Sequence, residues 1–384
     1  MTNRRRPTCR ENYLRHCAHG ERRPERVDAQ EAPKSPIYGA PVSRRVRALV
    51  VAGVLFLILF FVALFMPVPY VVLGPGPTLN TLGTDDHGRQ IITIRGRSTN
   101  PTSGHLNLTT VGITPDRVTA IDALVGWLQS DRVVVPRSAY FPPGQTEEQV
   151  NQRDTQQFVD SQSSATAAAF CELGYPRGLG VVGILDKSGA EGILKPFDEI
   201  ISVDGQPIAD QDALAKLLAT KHPGQPVTVV VSRAGVRKTF SIQLSKPADN
   251  GTGGRIGITV SPGCFAPFEV DLGLGDQIGG PSAGLMFALG IMDKVGPTNL
   301  TNGRFIAGTG EIRADGTVAP IGGIQLKMIA ARRAGATIFL APSDNCKDVT
   351  GAIPSGLSVL KVSNLHQAVQ DLGALEKGQP VPHC

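Results

Sequence analysis

A serine in a glycine-rich turn is the side chain of this sequence whose setting best suits covalent chemistry. Residues 279–284 read Gly-Gly-Pro-Ser-Ala-Gly, between a strand-like run at 268–272 and an apolar helical run at 285–292. A hydroxyl at the start of a helix lies near the positive end of the helix dipole, which favours developing negative charge. The alternative interpretation is an ordinary turn with an N-capping serine. Ser282 is therefore a candidate nucleophile that needs a base.

A lysine on an apolar helix face is the candidate base. Ile324, Lys327, Met328 and Ala331 recur at the spacing that places side chains on one side of a helix. Burial would disfavour the ammonium and lower the pKa of Lys327. A neutral amine could then take the proton from a serine hydroxyl. The alternative is a lysine whose stem covers apolar surface while its charged end reaches water.

Three motifs carry a resemblance to a known family. They are Ile-Gly-Gly-Pro-Ser-Ala-Gly at 278–284, Thr-Gly-Glu-Ile at 309–312 and Pro-Ile-Gly-Gly-Ile-Gln-Leu-Lys at 320–327. In this order and at these separations they make residues 255–375 resemble the proteolytic domain of the Lon family. The resemblance implies a serine peptidase with an α+β proteolytic domain.

The resemblance also assigns roles to individual residues. It implies that Ser282 is the nucleophile, Lys327 the base of a Ser-Lys dyad and Thr309 a supporting hydroxyl. The sequence departs from ATP-dependent members at Gly279, where an aspartate often stands. The candidates for an oxyanion hole are main-chain N–H groups of the turn around three residues: Gly280, Pro281 and Ala283.

The sequence contains no phosphate-binding motif of the Gly-x-x-x-x-Gly-Lys-Ser/Thr type. We therefore expect an endopeptidase that works without ATP and cleaves unfolded or membrane-proximal extracytoplasmic proteins. No cysteine and histidine spacing typical of a metal site occurs, so neither a metal nor another cofactor is expected.

Residues 166–246 resemble a PDZ domain of the kind found with bacterial proteases. The resemblance rests on the run Gly-Ala-Glu-Gly-Ile-Leu-Lys-Pro-Phe-Asp-Glu-Ile at 189–200 and on Val-Asp-Gly-Gln-Pro-Ile at 203–208. It implies recruitment of extended peptides by strand addition, with a glycine-rich loop holding the terminal carboxylate. A scaffold module with an unused groove is the alternative. The candidate loop contains Gly178, Leu179, Gly180 and Val181.

Residues 48–66 form an uncharged, largely apolar run that is long enough to span a bilayer. Arg44, Arg45 and Arg47 precede it, which predicts a cytoplasmic N-terminus and a catalytic domain on the other side of the cell membrane. A cleaved signal peptide is the alternative. We expect the basic tail before this run to be disordered.

The positive charge is concentrated in this tail, so the rest of the chain is not a basic nucleic-acid-binding body. The expected partners are protein or peptide substrates and membrane lipid, and the resemblance to Lon implies a homo-oligomer. The predicted α+β chain is a tail (1–45), a transmembrane helix (46–68), an ectodomain associated with the protease (69–165), the PDZ domain (166–246) and the Lon-type domain (247–384).

Local patterns give further expectations. Residues 71–84 predict an irregular stretch because glycine and proline recur, whereas 118–128 predict a short amphipathic helix with Ile121, Leu124, Val125 and Leu128 on one face. Residues 146–173 predict a polar helix. Four cysteines beyond the apolar run allow three pairings, of which we predict Cys346–Cys384.

The sequence leaves three rival functions to compare. A trypsin-like protease with a PDZ domain needs a histidine–aspartate pair, and no histidine here has that context. A tail-specific protease also combines a PDZ domain with a Ser-Lys dyad, but the motifs at 278–284 and 309–312 favour the Lon type. The non-enzymatic rival is a membrane-tethered PDZ adaptor or chaperone with an inactive protease domain.

Overall fold

The computed structural model describes residues 43–114, 117–247, 253–273 and 279–384. The predicted tail 1–45 lies almost entirely outside these ranges. Helix α1 (Arg44–Leu64) is the one described helix whose length and composition would allow it to cross a membrane. It begins two residues before the predicted span 46–68 and ends before Pro67, whose ring cannot continue a helix.

The other helices are α2 (Ala120–Leu128), α3 (Glu147–Glu172), α4 (Gln211–Ala219), α5 (Gly284–Val295), α6 (Ile324–Ala334), α7 (Cys346–Val349) and α8 (Leu365–Glu376). The strands are β1 (Tyr70–Asn80), β2 (Ile92–Arg95), β3 (His105–Ile113), β4 (Val133–Pro136), β5 (Arg177–Ile184), β6 (Glu199–Val203), β7 (Gln206–Pro207), β8 (Pro226–Arg233), β9 (Val236–Gln243), β10 (Ile258–Cys264), β11 (Glu269–Leu272), β12 (Phe305–Gly308), β13 (Glu311–Ile312), β14 (Val318–Ala319), β15 (Ile338–Pro342) and β16 (Ser358–Val362).

The first sheet has the order β16-β15-β12-β3-β1-β4. Strands β3, β12, β15 and β16 run parallel, and β1 pairs with its neighbours in the antiparallel sense. Alternate residues of β12 face opposite sides of the sheet, so Ile306 joins the core formed with α3 and α5 whereas Ala307 joins the core formed with α6. The sheet is therefore covered by helices on both faces.

Strand β1 corrects the prediction of an irregular stretch at 71–84. It runs between β3 and β4, with a register shift between Pro75 and Thr78 where the prolines cannot donate ladder hydrogen bonds. The apolar side chains Val71 and Leu73 are buried in a cluster with Leu326 of α6. Burial of these residues outweighs the local preference of glycine and proline for turns.

The second sheet has the order β10-β5-β6-β8-β9, and it interrupts the chain between α3 and β11. Its separate core contains Leu179, Leu214, Val229 and Ile242. Strand β10 falls within the segment 247–384 that the sequence analysis assigned to the Lon-type domain, yet it pairs with β5 of this sheet.

Two disulfides are present. Cys346–Cys384 joins the start of α7 to the end of the chain, as predicted. Cys171–Cys264 joins the end of α3 to the end of β10, so it ties a helix that packs on α5 to the edge strand of the second sheet.

Candidate active site

The turn that carries Ser282 is held by hydrogen bonds to α3 and to Gly310. Gly280 has a φ of +82°, a left-handed conformation that glycine adopts without a steric penalty. The Gly280 N–H donates to the carbonyl of Asp154 on α3 at 2.9 Å, and the Ser161 hydroxyl donates to the Pro281 carbonyl at 2.9 Å. The Gly310 N–H donates to the Ser282 carbonyl at 2.8 Å.

Helix α5 follows the turn and fixes its position in the core. All twelve of its residues are buried, because the helix lies between the first sheet and α3. The helix begins at Gly284, so Ser282 precedes it by two residues. A side chain at position 284 would meet Ile312 Cγ2 at 2.7 Å and Ser161 Oγ at 2.8 Å, so the helix approaches these neighbours as closely as only glycine allows.

Lys327 belongs to α6, which packs on the face of the first sheet opposite to α5. It lies in the first turn of α6, where its N–H donates to the carbonyl of Gly323, the cap residue with a φ of +70°. The Lys327 Nζ lies 2.7 Å from Ser282 Oγ and 2.9 Å from Thr309 Oγ1. The two side chains meet just beyond the carboxyl end of the parallel strand β12, a typical location for sites in such sheets.

The environment of Lys327 favours the neutral amine. The side chain is 3% exposed, and burial lowers the pKa of its amine from 10.5 to about 7. No described carboxylate forms an ion pair with it, and its place in the first turn of α6 adds the positive end of a helix dipole. The amine can therefore accept a proton near neutral pH.

Thr309 fixes the orientation of both groups. Its side chain is fully buried, and its hydroxyl donates to the Ser282 carbonyl at 2.9 Å. Its proton is therefore engaged, so Thr309 Oγ1 can only accept from Lys327 Nζ. The loop before α6 is held in turn by Asn345, whose side-chain oxygen accepts from the Ile321 N–H and whose amide donates to the Ile321 carbonyl. Sequence reasoning did not identify Asn345, since no local pattern marks it.

The predicted oxyanion-hole residues differ in whether their N–H groups are free to donate. Pro281 has no N–H and cannot donate, and its carbonyl is bonded to Ser161. The Gly280 N–H is already engaged by Asp154. The N–H groups of Ser282 and Ala283 have no partner among the described residues, so they are the donors that remain available in the turn.

Ser282 and Lys327 open onto a cavity of about 590 Å³. One wall is the end of β3, and another is the start of α3 with Arg153 and Asp154. Strand β3 pairs with β12 only over His105–Leu108, so its end from Thr109 onward is open toward this cavity. In the described ranges, no cluster of three or more histidine, cysteine, aspartate or glutamate side chains could hold a metal ion.

The residues predicted to form the peptide-binding loop of the PDZ domain lie in a strand instead. Gly178, Leu179, Gly180 and Val181 do not form a loop but lie within β5, which pairs with β10 on one side and β6 on the other. Leu179 and Val181 are buried in the core. Strand addition requires a free edge, and β5 has none along these residues.

The outer strand β10 has the free edge that β5 lacks. Within the described chain it pairs only with β5, and α4 lies beside it. Ile258 and Val260 of β10 are partly buried against the core of the second sheet. The signal missed was Gly254-Arg255-Ile256-Gly257, a second glycine-rich run before a strand.

Comparison with known families matches two parts of the chain. The model of the Lon protease (S16) C-terminal proteolytic domain matches residues 277–373, and the PDZ domain model matches residues 156–244. Lon protease 1 of Bacillus subtilis is 36% identical over 94 residues, which are 24% of this chain and 12% of that protein. The Lon protease of Rickettsia bellii is 37% identical over 94 residues, with the same shares of the two chains. The match thus spans about an eighth of these relatives.

Solved structures similar to the chain include two PDZ domains. That of the SdrC-like protein of Listeria innocua is 28% identical, covers 22% of this chain and 92% of its own, and has a TM-score of 0.21. The corresponding domain from Listeria monocytogenes is 24% identical, covers 22% of this chain and 86% of its own, and also has a TM-score of 0.21.

Proposed function

From a chain that carries a Lon-type proteolytic domain and a PDZ domain, we propose a membrane-anchored, ATP-independent serine endopeptidase with Ser282 as nucleophile and Lys327 as base. The observation that carries the proposal is the 2.7 Å contact between Lys327 Nζ and Ser282 Oγ. Because burial lowers the pKa of the amine to about 7, the contact joins a hydroxyl to an amine that can accept its proton.

The proposed reaction follows from this geometry. Ser282 Oγ attacks a peptide carbonyl carbon while its proton moves to Lys327 Nζ. The N–H groups of Ser282 and Ala283 donate to the oxyanion that forms. The Lys327 ammonium then gives its proton to the leaving amine as the C–N bond breaks. Water, deprotonated by the same amine, attacks the acyl ester and releases Ser282.

The form of the cavity supports extended, unfolded substrates. The open end of β3, from Thr109 to Ile113, offers main-chain groups that can pair with an extended peptide beside Ser282. Most backbone groups of a folded protein are already paired within it, so an unfolded segment fits this edge best. We propose that cleavage needs no ATP, because the sequence contains no phosphate-binding motif.

We assign substrate recruitment to the β10 edge rather than to the predicted residues in β5. The unpaired side of β10 next to α4 has the form that strand addition requires. The Cys171–Cys264 disulfide ties this strand to α3, and α3 bonds the catalytic turn through Asp154 and Ser161. A recruited peptide would therefore lie on β10, a strand that is tied by the disulfide to the helix that supports Ser282.

Membrane anchoring and orientation belong to the same proposal. Helix α1 supplies the span, and Arg44, Arg45 and Arg47 at its start favour a cytoplasmic N-terminus. The two disulfides fit an oxidising compartment outside the cytoplasm. We also propose that 69–165 and 247–384 form one protease unit that carries the PDZ domain as an insertion, and that this unit assembles as a homo-oligomer.

The test is cleavage of a reduced, carboxymethylated protein by the purified full chain without ATP. We expect cleavage by the native sequence and by the control Ser241→Ala, which alters an exposed serine of β9. We expect none by Ser282→Ala. Full cleavage by Ser282→Ala would contradict the proposal, and peptide binding without cleavage by any variant would favour the adaptor function.

A further inference from the structure

Helix α2 presents its apolar side to the exterior. Leu124, Val125, Trp127 and Leu128 are 49%, 45%, 70% and 80% exposed. The helix packs on the protein through Gly126 instead, where an added Cβ would lie 3.0 Å from Val134 Cγ2 and 3.2 Å from Val72 Cγ1. A surface helix of a globular protein has the opposite arrangement, with its apolar stripe toward the core.

The chain that leaves α1 is bonded directly to the start of α2. The Ala120 N–H donates to the Met66 carbonyl at 3.1 Å, and the Val68 N–H donates to the Val118 carbonyl at 2.9 Å. Pro67 forms a bridge with Thr119. At 1.5 Å per residue, the far end of α2 lies about 12 Å from these bonds. The exposed apolar side chains are thus close to the point where the proposed membrane span ends.

Charged groups around α2 suit a lipid surface with anionic headgroups. Exposed arginines, Arg117 and Arg132, stand before and after the helix. Two described carboxylates near α2 are engaged within the protein, since Asp122 accepts from the Thr119 N–H and hydroxyl, and Asp131 accepts from Arg333 at 2.6 Å. The exposed apolar stripe itself carries no charge.

We infer that α2 is a second membrane contact, which lies in the lipid interface with Leu124, Val125 and Leu128 toward the acyl chains and Trp127 at the headgroup level. The inference rests on the proposed membrane anchoring by α1. Its occupant is the phospholipid bilayer. A single helix would leave the catalytic domain free to rotate, whereas two contacts would fix the height and orientation of the cavity at Ser282 above the membrane.

Trp127 is the only tryptophan of the chain, so its fluorescence reports on α2 directly. The full chain would be reconstituted into phosphatidylcholine and phosphatidylglycerol vesicles, with or without lipids brominated on their acyl chains. We expect brominated lipid to remove about half or more of the Trp127 emission, because tryptophan at the interface contacts the quencher. Aqueous iodide should quench the Trp127 emission only weakly in the same vesicles.

The variant Leu124→Ser/Leu128→Ser keeps Trp127 and removes two apolar contacts. We expect it to lose most of the lipid quenching, whereas the matched control Val236→Ser, which alters an exposed valine of β9, should keep it. Vesicle flotation separates the two levels of failure. If the chain does not float, the anchoring by α1 is wrong and the inference falls with it.

If the chain floats but brominated lipid leaves Trp127 emission unchanged, the anchoring stands and the inference about α2 is wrong. Protection from iodide without quenching by brominated lipid would also overturn it. That result would show that a protein surface, such as a second copy of the chain, covers α2 instead of lipid.

Discussion

Two lysines are buried in the Lon-type segment, and they differ in what surrounds them. Lys327 is 3% exposed and Lys294 is 8% exposed, and burial lowers the pKa of both amines. Lys327 touches two hydroxyls, one of them on Ser282. Lys294 lies beside Asp293, whose charge works against the lowered pKa, and its amine makes a 3.4 Å contact with the Gln90 side chain.

The two lysines share burial but differ in the groups that their amines face. Burial alone makes an amine less basic at either position, but only at Lys327 does the amine face a hydroxyl that could lose its proton. Asp293 itself is 1% exposed, its pKa is raised by burial, and one of its oxygens accepts from the Leu300 N–H at 2.7 Å. Asp293 therefore supports the loop after α5, whereas Lys327 is placed for catalysis.

The largest predicted difference is in activity. Lys327→Ala should lower kcat/KM by about 10²–10⁴-fold, the usual contribution of a general base. Lys327→Arg should be equally inactive, because a guanidinium does not deprotonate. Lys294→Ala serves as the buried control, and its activity per folded molecule should stay near that of the native chain. Equal losses at the two lysines, measured with a fluorogenic peptide, would remove the distinction.

The second difference is in stability. Lys327→Met removes a buried amine that is costly to desolvate, so we expect the free energy of unfolding to rise by about 1–3 kcal/mol after the lost hydrogen bonds are subtracted. Lys294→Met should gain less or lose stability, because it leaves the buried Asp293 carboxyl without its neighbouring amine. Urea denaturation monitored by circular dichroism measures both changes. A destabilised Lys327→Met protein would argue against a desolvation cost at Lys327.

A smaller effect is expected at the second hydroxyl that contacts Lys327. Thr309→Val keeps the size of the side chain and removes the bonds to Lys327 Nζ and to the Ser282 carbonyl. We predict a fall in kcat of up to about tenfold, since a hydrogen bond to a neutral amine contributes about 0.5–1.5 kcal/mol. Thr301→Val, at a fully buried threonine whose N–H bonds Asp293, is the matched control. Its kcat should not change.

The pH dependence follows from the direction of the Lys327 shift. The amine must be neutral to accept a proton, so kcat/KM should fall about tenfold per pH unit below an apparent pKa of about 7. Between about 7 and 10.5 the unfolded chain binds more protons than the folded chain, so the contribution of Lys327 makes stability rise with pH across that window. Lys327→Met should remove this contribution. A flat activity profile from pH 5 to pH 8 would contradict the assignment.

The sequence predicted the reactive side chains of the site better than it predicted the contacts that hold them in place. The spacing of Ile324, Lys327, Met328 and Ala331 predicted a lysine on an apolar face, and the structure buries it. The contacts of Asp154 and Ser161 with the catalytic turn could not be predicted, because they depend on how α3 packs beside that turn. Helical periodicity describes one element at a time and does not show which elements meet.

For the second sheet, the kind of domain could be predicted from the sequence, but the order of its strands could not. The motifs at 189–200 and 203–208 predicted the right kind of domain, yet the predicted loop Gly178–Val181 lies within β5, because strand order depends on pairing between distant residues. The stripe of α2 was also recognised correctly, but periodicity does not say whether an apolar face meets the core or the exterior. In the structure Gly126, not the stripe, makes the close contact.

The most direct test of the central claim is the rate at which a fluorophosphonate modifies Ser282 in the native chain, Lys327→Ala and Lys294→Ala, measured by peptide mass spectrometry from pH 5 to pH 9. If Lys327 activates Ser282, the native chain and Lys294→Ala should be labelled at Ser282 with rates that rise around pH 7, and Lys327→Ala should remain unlabelled. Labelling of Lys327→Ala at the native rate and with the native pH dependence would contradict the claim that Lys327 is the base.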